Sequence, residues 1–477
     1  MLSQLGINLF SNQMGFRHTT HERNLYIGRL DGQEVLLCRQ VDDFMVSAVK
    51  EDTRAKFIKN LQDHVASEYN GMGVIVEGKG HYFRYNGLDV CQTKDYSKLS
   101  CQTYIERMLQ THGWDSPESK DPVKPVPITS SAAEDLQRLK GPPEKSPEAN
   151  EIAQRFGFSY RALLGELMYA YVICRLDIGF TICLAARFCD APHEEHFLAL
   201  KRATKYLRAT KHWGIMFRRP TPMNDMPNVP FTWIEEDPNL PEHPKHARRE
   251  LVGYVDASHA TDHKTRRSVT GMFIMYGGAA IAWKSRLQSL VATSSTEAEF
   301  YAAVFAAKMT LYFRYILQEL DALSEGPTTL YIDNQAALNM INENRPTERA
   351  RHIAVQWFAI QQWRAQGLII MKHLPGTINS SDAMTKALTS TLLYRHCRRA
   401  MGHYFSAFNK DDSKPRIIHG NSRSIEAGEG VGAEEVRDPS SVPSERGVVD
   451  AERFKLKDPD VDSIPGKVGS EVSLRRS

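Results

Sequence analysis

Three carboxylates occupy positions from which side chains can converge on one point. Asp256 closes the apolar run Leu251 to Val255, which reads as a strand, and Asp333 closes a second short apolar strand, Thr329 to Ile332. Between them, Thr293-Ser294-Ser295-Thr296 opens a helical pattern running to about Leu320, whose first turn carries Glu297 and Glu299. Strand-end acids facing a helix-borne acid offer hard oxygen ligands, the kind that magnesium prefers. Without a cation such carboxylates repel and raise one another's pKa, so the site would depend on ions. The competing structural reading is that acids at strand ends are turn residues or caps. Ser294-x-x-Glu297 fits a capping box, and Thr296-x-x-Glu299 has the same spacing, so pattern alone leaves the choice of glutamate open.

The elements that must position these acids are legible around them. Val269 to Tyr276 and Ala279 to Trp283 are β-rich runs separated by Gly277-Gly278, so with the Asp256 strand they make a meander. A helical run, Gln335 to Asn342, follows Asp333, and Leu368 to His373 reads as a last strand with His373 at its end. The chain of 477 residues is long enough for two or three domains with full cores, and 42% hydrophobic with 25% charged residues is ordinary for a globular protein. No apolar run reaches membrane-spanning length, and Met1 to Phe10 lacks a basic stretch followed by a long apolar core, so the expectation is an intracellular protein without membrane partners. Seven cysteines show no CxxC pair and no regular spacing, which argues against a zinc ribbon or a disulfide framework. A net charge of +3 permits a nucleic-acid partner without demanding one.

Upstream, Val35 to Ala48 reads as two apolar strands joined by a tight turn whose tip holds Asp42 and Asp43. Adjacent acids there can hold a divalent cation, although Asp-Asp is also common in turns. His81 to Val90 reads as a further strand pair and Ser100 to Thr111 as a short helix, giving a mixed α+β segment over 1–115. Residues 116–151 hold Pro117, Pro122, Pro125, Pro127, Pro142, Pro143 and Pro147, and are expected to form an exposed linker. Apolar residues recur at helical spacing over 152–217. Within it His193-Glu194-Glu195-His196 fits a helix-start charge cluster better than a metal site, because no third ligand lies nearby. The basic face of that helix, Lys201 to His212, either contacts phosphates or is solvated. A second Pro-rich stretch, 218–249, is expected to be a loop tolerant of change. The 406–477 tail is expected to be disordered, since Gly, Ser, Glu, Asp, Arg and Pro dominate and cannot offset the entropy of folding.

Several runs carry a family resemblance. Gln40-Val41-Asp42-Asp43-Phe44 resembles the YVDDM signature of copia-type LTR retrotransposon Pol polyproteins, and Tyr85 to Val90 is similar to their FLGIEI segment. Tyr160 to Tyr169 and Cys174 to Ile178 resemble YRSLVGSLLY and TRPDI. Gly253 to Ser258, Arg266 to Gly271, Trp283 to Ser285 and Ser295 to Glu299 resemble GYSDAD, RRSTSG, WKSK and SSTEAEY, in order and at similar spacing. Asp333-Asn334 matches the DN step and Asn379 to Lys386 the NxADxxTK ending. The resemblance covers most of residues 15–389.

It implies α/β and α+β architecture: a truncated reverse-transcriptase palm and thumb part over 1–115, a helical connection over 152–217, and a ribonuclease H-like domain over 250–405 with a five-stranded mixed sheet flanked by helices. It adds Asp382 as a fourth acid and, by aligning the helix with the AEL or AEY core of ribonucleases H, selects Glu299 as ligand and Glu297 as cap. The implied activity is hydrolysis of the RNA strand of RNA/DNA hybrids with two Mg²⁺ or Mn²⁺ ions. Asp256 would bridge both ions, Glu299 and Asp333 would hold the ion nearer the leaving group, and Asp382 the one bearing the attacking water. His373 could assist proton transfer or simply end its strand. Arg266, Arg267, Lys284 and Arg286 could supply phosphate contacts or be solvated hairpin charges. The polymerase needs a further upstream Asp and the fingers, and the chain begins too late to hold them. Asp42 and Asp43 are therefore expected to be remnants of a polymerase site, completed, if at all, by an upstream reverse-transcriptase segment or other retroelement proteins. The family implies an intracellular setting, cytoplasm and nucleus. The rival is an inactive retroelement relic or nucleic-acid-binding module. An integrase core would order its acids Asp, Asp, Glu, whereas the order here is Asp, Glu, Asp, Asp.

Overall fold

A computed structural model describes residues 15–40, 43–48, 50–68, 73–77, 81–115, 124–343, 354–404 and 451–457. They fall into two compact units, 1–86 with 448–477, and 87–447. In the smaller unit, Leu25–Leu30, Gln33–Gln40 and Asp43–Ala48 form an antiparallel meander. Asp31 and Gly32 both have positive φ, 50° and 75°, the mirror-image turn whose twist matches its flanking strands. Period-two alternation puts Val35 and Leu37 beside Tyr26, Phe44 and Val46, and helix Glu51–Glu68 covers that face with Phe57 and Leu61. Asp43 is the first residue of its strand, paired opposite Gln40 and not at the turn tip where the sequence reading put it, while Asp42 lies outside the described residues.

The tail departs from expectation at one place. Ala451–Lys457 is a strand lying antiparallel between Asp43–Ala48 and Gly73–Glu77. Composition argues against a packed core there, but a strand flanked on both sides satisfies its main-chain groups without one. Residues 405–450 and 458–477 of that tail lie outside the described residues.

The larger unit begins with an antiparallel trio, Leu88–Gln92, Tyr96–Ser100 and Gly214–Arg218. Helices Gln102–Thr111, Pro147–Phe156, Tyr160–Ile173, Gly179–Ala185 and Glu194–Ala209 form the helical layer. Ser146 and Ser159 cap two of them through their side-chain oxygens. His193 and His196 form a reciprocal cap on a third: the His193 main-chain N–H donates to His196 Nδ1 at 2.8 Å, and His193 Nδ1 accepts from the Glu195 N–H at 3.2 Å. That uses the ring nitrogens as a helix start, not as metal ligands. Arg175 and Asp177 form a fully buried bidentate pair at 2.6 and 2.9 Å, and Tyr206 donates to the same carboxylate at 2.8 Å.

Among the described residues, 124–151 and 218–249, both Pro-rich stretches are more ordered than expected. The 116–151 segment contains the helix Ser130–Asp135, and Ile128, Ala133 and Leu136 pack with Leu184 and Ala199. Proline at Pro147 starts a helix, where its missing N–H costs nothing. In 218–249, Met226, His243 and His246 are buried, and the Phe231 and Trp233 rings meet Tyr96 edge-on. These segments are held by tertiary contacts, not by local propensity.

The site-bearing sheet comprises β1 (Val252–Ser258), β2 (Val269–Tyr276), β3 (Ala279–Leu287), β4 (Thr328–Ile332) and β5 (Ile369–His373). Its order is β3-β2-β1-β4-β5, with β1 antiparallel to β2, β2 antiparallel to β3, and β1, β4 and β5 parallel. Helix α1 (Ser295–Glu319) lays Ala298, Ala302, Ala303 and Ala306 on one face against Val255, Ile274, Leu330 and Met371. Small residues there let a 25-residue helix approach the sheet closely. Tyr254, Phe273 and Tyr331 on the other face join the core of the helical layer. Covered on both sides, β1 is almost wholly buried, which is why its sequence is a continuous apolar run ending in Asp256. Helices α2 (Gln335–Asn342) and α3 (Ala354–Ala365) follow β4. Among the described residues no helix is long and apolar enough to cross a membrane.

Candidate metal centre

The parallel pairing of β1 with β4 matches Val255 with Ile332, so the next residues, Asp256 and Asp333, emerge side by side at the same sheet edge. Glu299, in the first turns of α1, faces them. Ligand oxygens of Asp256, Glu299 and Asp333 all lie within 4.8 Å of one another. Asp256 and Glu299 are only 2% and 5% exposed. Glu299 Oε1 accepts from the Ala257 N–H at 3.1 Å, whereas its Oε2 is buried without a hydrogen-bond donor among the described residues. Burial, then Asp256 and Asp333, push the Glu299 carboxyl up to about 9. Burial also raises Asp256, Asp333 and Asp382 above the ordinary range, with neighbouring carboxylates adding to it. An orphaned buried oxygen amid hard carboxylate donors fits a divalent cation.

Glu297 points elsewhere. Its Oε2 accepts from the N–H and hydroxyl of Thr293 at 2.7 and 2.5 Å, and Tyr301 donates to Oε1 at 2.8 Å, while Ser294 Oγ accepts from the Glu297 N–H. Of the two glutamates, the structure sends Glu299 into the cluster and folds Glu297 back over the helix start.

Asp382 arrives from a 3₁₀ helix, Ser380–Met384, that packs on β1 and β2. Two features dock it. Asn379 is fully buried and its Nδ2 donates to the Val255 carbonyl at 2.9 Å. Gly271, opposite Asp256 in the sheet, leaves the room: a Cβ there would come within 2.6 Å of Thr385 Cγ2 and 2.7 Å of Met384 Cβ. Thr385 donates its hydroxyl to Asp256 Oδ2. Lys386 Nζ lies 2.8 Å from Asp382 Oδ1 and 3.5 Å from Asp256 Oδ2, so an ammonium joins the fourth acid to the first. Sequence reasoning assigned no role to Asn379, Thr385 or Lys386. The signal was present in the i, i+4 spacing of Asp382 and Lys386.

His373 is exposed at the end of β5, and its Nε2 lies 3.1 Å from the Asp333 main-chain oxygen. Arg266 is exposed with φ 55° in the segment joining β1 to β2, and Arg267 is half-buried beside it. Lys284 is exposed on β3. Arg286, also on β3, stacks its guanidinium 4.7 Å over the Phe305 ring of α1. Asp43 stands in the smaller unit and belongs to no carboxylate cluster among the described residues.

No family model matches the chain. It is 26% identical over 404 residues, 84% of its length, to a retrovirus-related Pol polyprotein from transposon TNT 1-94 of Nicotiana tabacum. The Pol polyprotein from transposon RE1 of Arabidopsis thaliana is 23% identical over 79% of the chain. Over about 80% of its length the chain is similar to Pol polyproteins of copia-type retrotransposons. It spans about a quarter of the length of these curated relatives, 26% and 22%. Among solved structures, LC11-RNase H1 in complex with an RNA/DNA hybrid is similar over 28% of this chain and 94% of its own, at 14% identity and a TM-score of 0.23. The acidic cluster lies at one edge of the five-stranded mixed sheet.

Proposed function

We propose that the 250–405 region is a ribonuclease of the H type, hydrolysing the RNA strand of RNA/DNA hybrids with two Mg²⁺ or Mn²⁺ ions. The observation that supports it most is the meeting of Asp256, Glu299 and Asp333 within 4.8 Å, with Glu299 Oε2 buried and unpartnered among the described residues. Such ions supply an activated water and a counter-charge for the departing 3′ oxygen. The residues do the rest. Asp256 is shared between the two sides of the cluster, Glu299 and Asp333 serve the leaving-group side, and Asp382 serves the side of the attacking water. The buried sheet edge holds these oxygens in fixed positions and keeps their number of competing protein donors small. A hybrid presents 2′-hydroxyls across a wide, shallow minor groove, so the RNA strand is distinguishable without sequence readout. Arg266, Arg267, Lys284 and Arg286 contact phosphates along it.

The smaller unit is read as part of a reverse-transcriptase palm, with Asp43 at the start of a hairpin strand. The 152–217 helices are read as the connection, and the setting as intracellular. The test is cleavage of an RNA/DNA hybrid by the purified chain in Mg²⁺, beside Asp333→Asn. The expected result is RNA-strand cleavage by the native chain and a loss of at least about a hundredfold in the variant. Equal cutting by both points to a contaminant. If neither cuts although both are folded, the inactive relic or binding module takes the place of the enzyme.

A further inference from the structure

Lys386 is the one cation in contact with the acids among the described residues, and it reaches only part of them. Its Nζ sits 2.8 Å from Asp382 Oδ1 and 3.5 Å from Asp256 Oδ2, whereas Glu299 Oε2 has no donor among the described residues. We infer that Lys386 is a built-in counter-ion of the centre: its ammonium holds the place between Asp256 and Asp382 that a divalent cation takes, and metal loading displaces it. The inference rests on the ribonuclease H reading of the same site and adds a residue to it.

Geometry supports an ammonium that can leave. The lysine follows the 3₁₀ helix of Asp382, and its main-chain N–H donates to the Asp382 carbonyl at 3.1 Å, so the root of the side chain is fixed. The side chain itself is 42% exposed, against 2% for that of Asp256. A flexible four-carbon stem entering from the solvent side can swing out without repacking the core. Its charge has a clear use while it stays, since buried carboxylates facing one another without a cation oppose folding. The same charge must then oppose a divalent ion arriving at those two oxygens. A purely structural ion pair would stabilise the fold equally with and without metal.

The experiment is calorimetric titration with Mn²⁺ alone at pH 8.5, where protons compete least, on the full chain and on K386M, K386R and D333N. The expected result is Mn²⁺ binding about tenfold tighter in K386M and within about twofold of the native chain in K386R, which keeps the charge. In EDTA, K386M should melt below the native chain, and saturating Mn²⁺ should close the gap. If D333N weakens binding but K386M binds no tighter than the native chain, Lys386 is only a structural pair and the inference fails. If the native chain binds no Mn²⁺ saturably, the metal-centre reading itself fails. Should K386M not fold, the native chain decides: labelling of Lys386 by an amine-specific reagent, read by peptide mass spectrometry, should rise several-fold once Mg²⁺ is bound. Unchanged labelling with metal bound overturns the displacement.

Discussion

Glu299 carries a heavy electrostatic load, because it is buried, faces Asp256 and Asp333, and receives a single N–H donor among the described residues. Its folded carboxyl titrates near 9, against about 4.5 when unfolded. Below pH 4.5 both states hold the proton; between 4.5 and 9 only the folded state does, so metal-free stability falls as pH rises through that window. Glu299→Gln removes the load. Thermal melts in EDTA should show the variant gaining several degrees at pH 8 and almost nothing at pH 4.5, while its cleavage is abolished. Parallel pH profiles for the two chains would mean that Glu299 is not strained. His373 makes the opposite case. It touches the main-chain oxygen of Asp333, not a carboxylate, so His373→Ala should slow hybrid cleavage by less than about tenfold, compared with the hundredfold or more expected of Asp333→Asn. A loss as large as that of Asp333→Asn would make the imidazole a proton carrier.

At the scale of elements, delivery of Asp382 depends on a helix lying flat on β2, and Gly271 is what permits it. Gly271→Ala adds a methyl group 2.9 Å from the Ser381 carbonyl and closer still to Thr385 and Met384, so the 3₁₀ helix must lift. Overpacking of this kind costs about 1–3 kcal/mol. Urea melts should register that loss, and Mn²⁺ affinity should fall with it; a variant that keeps native affinity would show that Asp382 is placed by other contacts. A glycine inside a strand was visible in the sequence, but nothing in it said what approached. The same limit explains the other departures. Strands β1, β2, β4 and β5 and helix α1 were legible because their apolar periods are set by the faces they bury. Ile128, Leu136, Phe231 and Trp233 were hidden in Pro-rich stretches, where order comes from distant partners. Ala451–Lys457 was hidden for a related reason, since its pairing is through main-chain groups that composition does not encode. Of the site, Asp256 and Asp333 were legible as strand ends and Asp382 only through the family motif. The choice of Glu299 over Glu297 needed a helix start to be fixed to within one residue.

At the scale of the whole molecule, the two units have separate cores, one around Tyr26, Leu37 and Phe44 and the other around the helical layer and the five-stranded sheet. Separate cores predict separate unfolding transitions, and a ligand stabilises only the transition that destroys its site. All four carboxylates lie in residues 87–447. Free Mn²⁺ at about a hundredfold over its Kd should therefore add about 2.7 kcal/mol to that unit and nothing to the smaller one. Differential scanning calorimetry of the full chain can read both. Phe44→Ala, which removes about 3–5 kcal/mol from the smaller core, assigns the metal-insensitive transition, and Asp333→Asn should abolish the metal shift in the other. If Mn²⁺ raised both transitions together, the units would be coupled, and a carboxylate site that senses the fold of the smaller unit would have to replace the picture of two independent cores.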